Sequence, residues 1–274
     1  MFEYLKHLVI RTPLEGPLHR LRWLAGYPRR RRHPELAELY AEPDRIEQML
    51  GRLLKPTSNC LDVGGHLGSF TSLLVRLAPQ GRHMTFEALP DKARWLKEKF
   101  PEVEVTHAAV GEAPGEITFY RNTSRTAFSG MNVHTRPGDK VEEIKVRCER
   151  LDDRVPPDRH VDFVKIDVEG AELSVLRGAR EVIARCRPVL LFECALDGLE
   201  GAGVRPQDIF GFLTEQLGYE VLLVRNWLSG GAALTGEEFH RAMRYPFQAR
   251  NFVAVPAERK AAAADRSGSA VAAA

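Results

Sequence analysis

From Ser58 onward the sequence breaks into short apolar runs separated by stretches with helical periodicity, and this alternation constrains the fold more than any other feature. Strands are expected at 60–63, 83–86, 103–108, 117–120, 144–148, 161–166, 189–193, 219–224 and 251–255. Helices are expected at 69–77, 91–99, 171–185 and 206–217. Strands alternating with helices of this length give an α/β fold: a mostly parallel sheet covered by helices on both faces. Two segments flank this body. Residues 1–52 read as a helical N-terminal extension interrupted by Pro13, Pro17, Pro28, Pro34 and Pro43, with separate amphipathic helices at 34–40 and 44–54 and Asp44 as the N-cap of the second. Residues 257–274 are mostly Ala, Ser and Gly and are expected to form a disordered tail, leaving 53–256 as the folded domain.

The sharpest local signal is Asp62-Val63-Gly64-Gly65-His66-Leu67-Gly68-Ser69-Phe70, placed directly after an apolar strand and before a helix. A backbone that turns sharply from strand to helix beneath a ligand needs residues without a Cβ, and Gly64 and Gly68 meet that need. A dinucleotide fingerprint would place glycines at 64, 66 and 69, where this chain has Gly64, His66 and Ser69. The pattern D-x-G-x-G-x-G fits better, with His66 in its middle position. Glu87 closes the next strand, where a carboxylate can accept both hydroxyls of an adenosine ribose. Turn, acid and order together describe a nucleoside-binding crevice.

These residues resemble the FkbM family of S-adenosylmethionine-dependent methyltransferases. Asp62 to Gly68 is similar to that family's D-V-G-A-N-x-G, Phe86-Glu87-Ala88 to its F-E-P, and Glu149-Arg150-Leu151-Asp152 to its T-L-D. Lys165-Ile166-Asp167-Val168-Glu169-Gly170-Ala171-Glu172 matches K-I-D-V-E-G-x-E, and Val175-Leu176-Arg177-Gly178-Ala179 matches V-L-x-G-A. The resemblance runs from about residue 35 to 255. Departures are His66 for Asn, Ala88 for Pro and Glu149-Arg150 in place of Thr.

The resemblance implies a class I methyltransferase (Rossmann-like) fold, with a seven-stranded sheet, its last strand antiparallel, and S-adenosylmethionine lying across the ends of the first strands. It implies that Asp62, Gly64, Gly65, His66, Gly68, Ser69 and Phe70 face the methionine part, Glu87 and Ala88 the ribose, and Ala109 and Val110 the adenine. The acceptor it implies is a hydroxyl of a sugar, glycolipid or other natural product. Two alternatives are a non-catalytic module that binds the same cofactor, which the intact Gly64, Gly68, Glu87 and Asp167 argue against, and a nicotinamide oxidoreductase, which the glycine spacing argues against.

Methyl transfer to oxygen needs an aligned nucleophile, a proton acceptor and exclusion of water. Asp167 is expected at the carboxyl end of its strand, sharing a side with Phe163 and Lys165, where such sheets bind ligands. Glu193 ends the neighbouring strand, and either carboxylate can serve as base, hold the acceptor or touch the cofactor's amine. Glu169 and Glu172 begin a helix, where acids also suit the helix dipole. Lys165 either pairs with a buried carboxylate or orients the substrate. Asp167, Glu193 and a nearby acid could chelate Mg²⁺, but no tight ligand spacing demands a metal and none is expected. His66, His107 and His134 are further candidate bases. His134 is the best placed of these, within a polar stretch at 121–140 that also offers Ser124, Arg125, Ser129 and Asn132 to a polyhydroxylated acceptor.

Charge completes the reading. Lys and Arg total 39 against 37 Asp and Glu, a net charge of +2 that argues against a nucleic-acid partner. Six arginines and no acid lie between Glu15 and Glu35, and without those six the chain carries 33 bases against 37 acids. The run Arg29-Arg30-Arg31-Arg32, with Arg20, Arg22 and Trp23 upstream, is either a solvated charge run or a contact for an anionic membrane or a phosphorylated acceptor. The longest uncharged stretch, 63–75, is 13 residues, short of a bilayer span. Cys60, Cys148, Cys186 and Cys194 have no C-x-x-C spacing and are expected as free buried thiols. These features suggest a cytoplasmic protein with an optional peripheral contact at the inner face of the membrane.

Overall fold

The computed structural model describes residues 7–12, 14, 21, 25–125, 129–132 and 138–259. Its strands, in chain order, are β1 (Cys60–Val63), β2 (Met84–Glu87), β3 (Glu104–His107), β4 (Ala109–Val110), β5 (Gly115–Asn122), β6 (Val141–Glu149), β7 (Phe163–Ile166), β8 (Val189–Glu193), β9 (Tyr219–Leu223) and β10 (Asn251–Pro256). Seven of them form one sheet in the order β3-β2-β1-β7-β8-β10-β9. Every pairing in it is parallel except the two made by β10. This is the class I architecture expected, with the strand order reversing between β1 and β7, the position where open α/β sheets bind ligands.

The runs are short and almost uniformly apolar because both faces are covered. The helices that build the site are α1 (Tyr27–Arg32), α2 (Ala37–Leu53), α3 (Ser69–Leu77), α4 (Pro90–Lys99), α5 (Glu172–Arg177) and α6 (Arg180–Cys186). Along β7, Phe163 packs with Ile46, Met49 and Leu50 of α2 and Leu74 of α3, whereas Val164 and Ile166 join Val175, Leu176 and Ile183 on the opposite face. The period-two alternation therefore assigns each helix to a face. β4, β6 and β5 form a separate three-stranded sheet beside the edge of the main one. The four cysteines are buried and free. Among the described residues, no helix is long and apolar enough to cross a membrane.

Several local expectations are corrected. The segments at 34–40 and 44–54 join: α2 runs through Pro43, and Asp44 lies inside it rather than capping it. A helix-interior proline costs roughly 3 kcal/mol. Burying Ile46, Met49 and Leu50 returns about 1.5–3 kcal/mol for each side chain, so packing outweighs the missing bond. The single helix at 171–185 is two helices parted at Gly178, where an added Cβ would lie 2.0 Å from the Gly111 carbonyl oxygen. The helix at 206–217 finishes as a π-turn, Phe212–Gln216. The strand at 103–108 ends at His107, and the chain then crosses to the small sheet. Residues 257–259 are helical, and Glu258 pairs with Arg187 at 2.7 Å; the rest of the expected tail lies outside the described residues.

Candidate active site

The carboxyl ends of β1, β2, β7 and β8 open onto a cavity of about 590 Å³, within the range of small-molecule sites. Its first wall is the glycine turn. Gly64 and Gly65 both donate their N–H to Phe86 O at 3.0 Å, tying the end of β1 to β2. Gly64 adopts φ +85°, and a Cβ there would fall 1.8 Å from the Asp167 carbonyl oxygen, so only glycine lets the turn pass the end of β7. Gly68, also at φ +85°, has Phe100 and Leu96 where a side chain would go. His66 sits at φ +50°, the left-handed region that Asn and His tolerate better than most residues. That explains how His can stand where the family pattern has Asn.

Glu87 fixes this turn from below. One carboxylate oxygen accepts the His66 N–H at 2.7 Å and the other the Leu89 N–H at 2.8 Å. Each oxygen keeps lone-pair capacity toward the cavity that the residue lines. Burial pushes the carboxyl up, against the opposing pull of Lys92 and the two backbone donors.

Lys165 joins the walls. Its ammonium lies 3.3 Å from Asp62 and 3.2 Å from Asp167, donates to Gly64 O at 3.0 Å, and stands 5.6 Å from the centre of the Phe70 ring. Burial alone would lower its pKa, but the two carboxylates override burial and raise it. The lysine therefore pairs with buried carboxylates and staples β1, β7 and the turn together. Asp62 is fully buried, accepts from Thr71 Oγ1 at 2.7 Å and does not line the cavity. Its expected place against a ligand is corrected to a supporting one beneath the turn. Gly68 likewise shapes the turn without lining the cavity.

The other end of the cavity begins at Asp167, beside the turn, and is crowded with carboxylates. Asp167, Glu169 and Glu193 each bring an oxygen within 4.8 Å of the others. Burial pushes Glu193 up to about 8, reinforced by Asp167 and opposed by Arg250 and Lys165. Burial pushes Glu169 up to about 9, reinforced by Glu193 and Asp167. Glu172 lies behind them, fully buried, accepting the Gly170 N–H at 3.0 Å, and is pushed up to about 7 by burial. Three converging carboxylates give the site a proton-accepting group, hydrogen-bond acceptors for hydroxyls, and the spacing of a divalent-cation site.

Of the expected site residues, the structure gathers Gly64, Gly65, His66, Ser69, Phe70, Glu87, Ala88, Ala109, Val110, Asp167 and Glu193 around this one cavity. His134 lies outside the described residues. His107 contacts Ala88 O through Nε2 at 3.1 Å and is structural. Within the expected acceptor loop, Ser129 reaches the cavity, while Ser124 accepts the Lys140 N–H and Arg125 pairs with Asp139. Sequence reasoning missed Glu169, Glu42 and Arg250 as lining residues. Glu169 carried a signal, because it precedes Gly170 within the K-I-D-V-E-G block and takes a left-handed conformation at φ +52°. Glu42 carried none: it reaches from α2 to accept the N–H groups of Arg250 and Asn251 at 3.0 and 3.1 Å, a contact across 208 residues.

Comparison with known proteins places this architecture. Residues 62–221 match the model of the methyltransferase FkbM domain. AMB antimetabolite synthetase AmbE of Pseudomonas aeruginosa is 26% identical over 228 residues, covering 69% of this chain and 11% of that protein. Methyltransferase 1 of Beauveria bassiana is 26% identical over 141 residues, covering 43% of this chain and 57% of that protein. The 2-O-methyltransferase NoeI of Sinorhizobium fredii is 24% identical over 157 residues, covering 51% and 65% respectively. The chain thus spans less than two thirds of each of these relatives. A solved FkbM methyltransferase from Methylobacillus flagellatus aligns at 16% identity and TM-score 0.47, covering 74% of this chain and 45% of that one. Because the domain match takes in more than half of the sequence, including the glycine turn, Glu87, Asp167 and Glu193, the chain belongs to the FkbM methyltransferase family.

Proposed function

We propose that the protein is an S-adenosylmethionine-dependent O-methyltransferase whose acceptor is a hydroxyl of a sugar, glycolipid or other natural product. The observation that carries this reading is the Glu87 carboxylate at the cavity wall. Both of its oxygens are already oriented by backbone N–H groups, and both retain acceptor capacity for a pair of ribose hydroxyls. The surroundings fit the same cofactor. The lining carries six carboxyl groups (Glu42, Glu47, Glu87, Asp167, Glu169, Glu193) beside three bases (Lys92, Lys165, Arg250), and so offers acceptors to the amino and hydroxyl groups of such a cofactor. Ala109, Val110, Leu89 and Phe119 offer an apolar surface for a purine ring.

When bound, the cofactor supplies a methyl group already activated by the sulfonium charge. The chain's own residues do the rest. Asp167, held 3.2 Å from the Lys165 ammonium, is a fixed hydrogen-bond acceptor. Glu193, with its basicity raised into the neutral range, would take the proton released by the acceptor hydroxyl when the methyl group leaves the sulfonium sulfur, which departs as a neutral thioether, for that oxygen. Glu169 retains its own proton at neutral pH and so can donate to the acceptor or to Glu193. His134 remains a candidate contact to the acceptor from the 121–140 loop.

Calorimetric titration with S-adenosylmethionine and with NAD tests the cofactor, and a methyl-transfer assay across glycans and glycolipids tests the chemistry. Binding of S-adenosylmethionine alone is expected. Binding of NAD instead would favour an oxidoreductase, and cofactor binding without transfer to any acceptor would favour a non-catalytic module. A chelator is expected to leave turnover unchanged; its loss, with recovery on adding Mg²⁺, would assign the three carboxylates to a cation instead.

A further inference from the structure

The arginine-rich segment is left unused by the cofactor cavity, and its setting says what it meets. Four of the five exposed large apolar side chains among the described residues, Leu8, Leu14, Leu21 and Tyr27, lie within the first 27 residues, at 49–63% exposure. α1, the six-residue helix that follows, buries none of its side chains and carries Arg29, Arg30, Arg31 and Arg32. The Arg31 guanidinium rests 5.6 Å from the centre of the Tyr27 ring. Among the described residues, Arg29, Arg31 and Arg32 have no ion-pair partner. No acid occurs between Glu15 and Glu35.

Both flanks of the segment are docked at the rim of the cavity. On one side, the His7 ring meets the His66 ring edge-on at 5.9 Å, and His7 Nδ1 lies 3.2 Å from Ser69 Oγ. Ile10 is buried against Leu96, Phe100 and Val103, and Arg11 pairs with Glu102 at 2.7 Å. On the other side, α2 contributes Glu42, Pro43, Ile46 and Glu47 to the cavity wall. α1 leads into α2 through one short turn, Pro34–Leu36. α1 is thus joined by a single short turn to a helix that walls the cavity.

From this geometry we infer that Leu8, Tyr27, Arg29, Arg31 and Arg32 form a docking surface for an anionic phospholipid bilayer, which presents a membrane-borne acceptor to the cavity. An exposed tyrosine against unpaired arginines, with exposed leucines earlier in the same segment, matches the interface of such a bilayer, where rings and aliphatic chains enter the headgroup region and guanidinium groups meet phosphate. A second copy of the chain would bring like charges together. A nucleic-acid backbone offers nothing for the leucines and the tyrosine. The lipid contact stands on these observations alone; the delivery of an acceptor rests on the methyltransferase reading above.

Flotation of the full chain with vesicles of phosphatidylcholine, with and without phosphatidylglycerol, tests the inference. Binding is expected only to the mixed vesicles, with release as salt rises. The combined variant Arg29→Gln, Arg31→Gln, Arg32→Gln should weaken that binding on the order of 100-fold while melting like the wild type, since α1 buries no side chain. Leu8→Ser with Tyr27→Ser should weaken it roughly tenfold and leave the salt dependence in place. Equal binding to neutral vesicles, no binding to either, or a triple variant that binds like the wild type would overturn the inference. So would arginine-dependent dimerisation or RNA binding without vesicle binding. Titrating the triple variant with S-adenosylmethionine separates the two readings: unchanged cofactor affinity is expected whatever the vesicle result, and a chain that binds vesicles but no cofactor keeps the docking surface and loses the proposed chemistry.

Discussion

The two ends of the cavity are built by different means. At the glycine turn, the determinants are backbone: Gly64, Gly65 and His66 present N–H groups, and Phe86 O and the Glu87 carboxylate take them up. At the other end, side-chain carboxylates from β8 and the segment after β7 crowd together, and burial and mutual repulsion hold protons on Glu193 and Glu169. A fully paired backbone cradle favours one rigid ligand, whereas a crowd of carboxylates is poised to exchange protons and to accept hydroxyls. The first end suits holding a cofactor and the second suits doing chemistry.

Substitutions should divide along that line. Glu193→Gln is expected to cut turnover by about 10²–10⁴-fold, the usual worth of a positioned base, with cofactor affinity within a few-fold of wild type. Steady-state rates and calorimetry read the two together, and an equal loss in both would erase the distinction between the ends. Gly64→Ala should cost about 3 kcal/mol or more of stability, from left-handed strain together with a Cβ 1.8 Å from the Asp167 oxygen; an unshifted melting temperature would contradict the geometry of the turn. Glu87→Ala should weaken cofactor binding by about 10–100-fold and also destabilise the protein, because the His66 and Leu89 N–H groups lose a charged acceptor worth roughly 1.5–3 kcal/mol each. Turnover at saturating cofactor should change far less.

The pH dependence sharpens the comparison further. Glu172, Glu193 and Glu169 keep their protons in the folded protein to about 7, 8 and 9, against an ordinary value of 4.5. Between those limits the folded state binds more protons than the unfolded one, so stability falls as pH rises through the window. The stability of the cofactor-free protein, read as its melting temperature, should therefore decline from about pH 5 to pH 9, and Glu169→Gln should flatten that slope. Turnover should move in the opposite direction, rising toward pH 8 as Glu193 becomes able to accept a proton. The smallest effect is expected for His66→Asn, a gain of a few tenths of a kcal/mol from the better left-handed preference of Asn.

The same contrast explains what could be read from the sequence. The glycine-turn end is local: one strand, one turn and one strand-end acid, each within 26 residues of Asp62, so their spacing is visible in the sequence. The sheet was legible because strands such as β7 and β8 are short, apolar and ended by an acid at or just past their last residue. The carboxylate-rich end is assembled from α2, the segment after β7, β8 and Arg250, which meet only in the folded chain. Glu42 could not be recognised because its partners lie on the far side of the sequence, and the continuity of α2 through Pro43 depends on burial that local propensity does not register. Asp62 fails differently. Its motif is local, yet its buried partner Lys165 is not, and that pairing turns it from a ligand contact into a support.

The most direct test of this account is calorimetric titration of the purified chain with S-adenosylhomocysteine, wild type beside Glu87→Gln. The account predicts micromolar one-to-one binding to the wild type and an affinity loss of about tenfold or more in the variant, whose neutral amide is a weaker acceptor for ribose hydroxyls. No binding to the wild type, or equal affinity in both proteins, would contradict it.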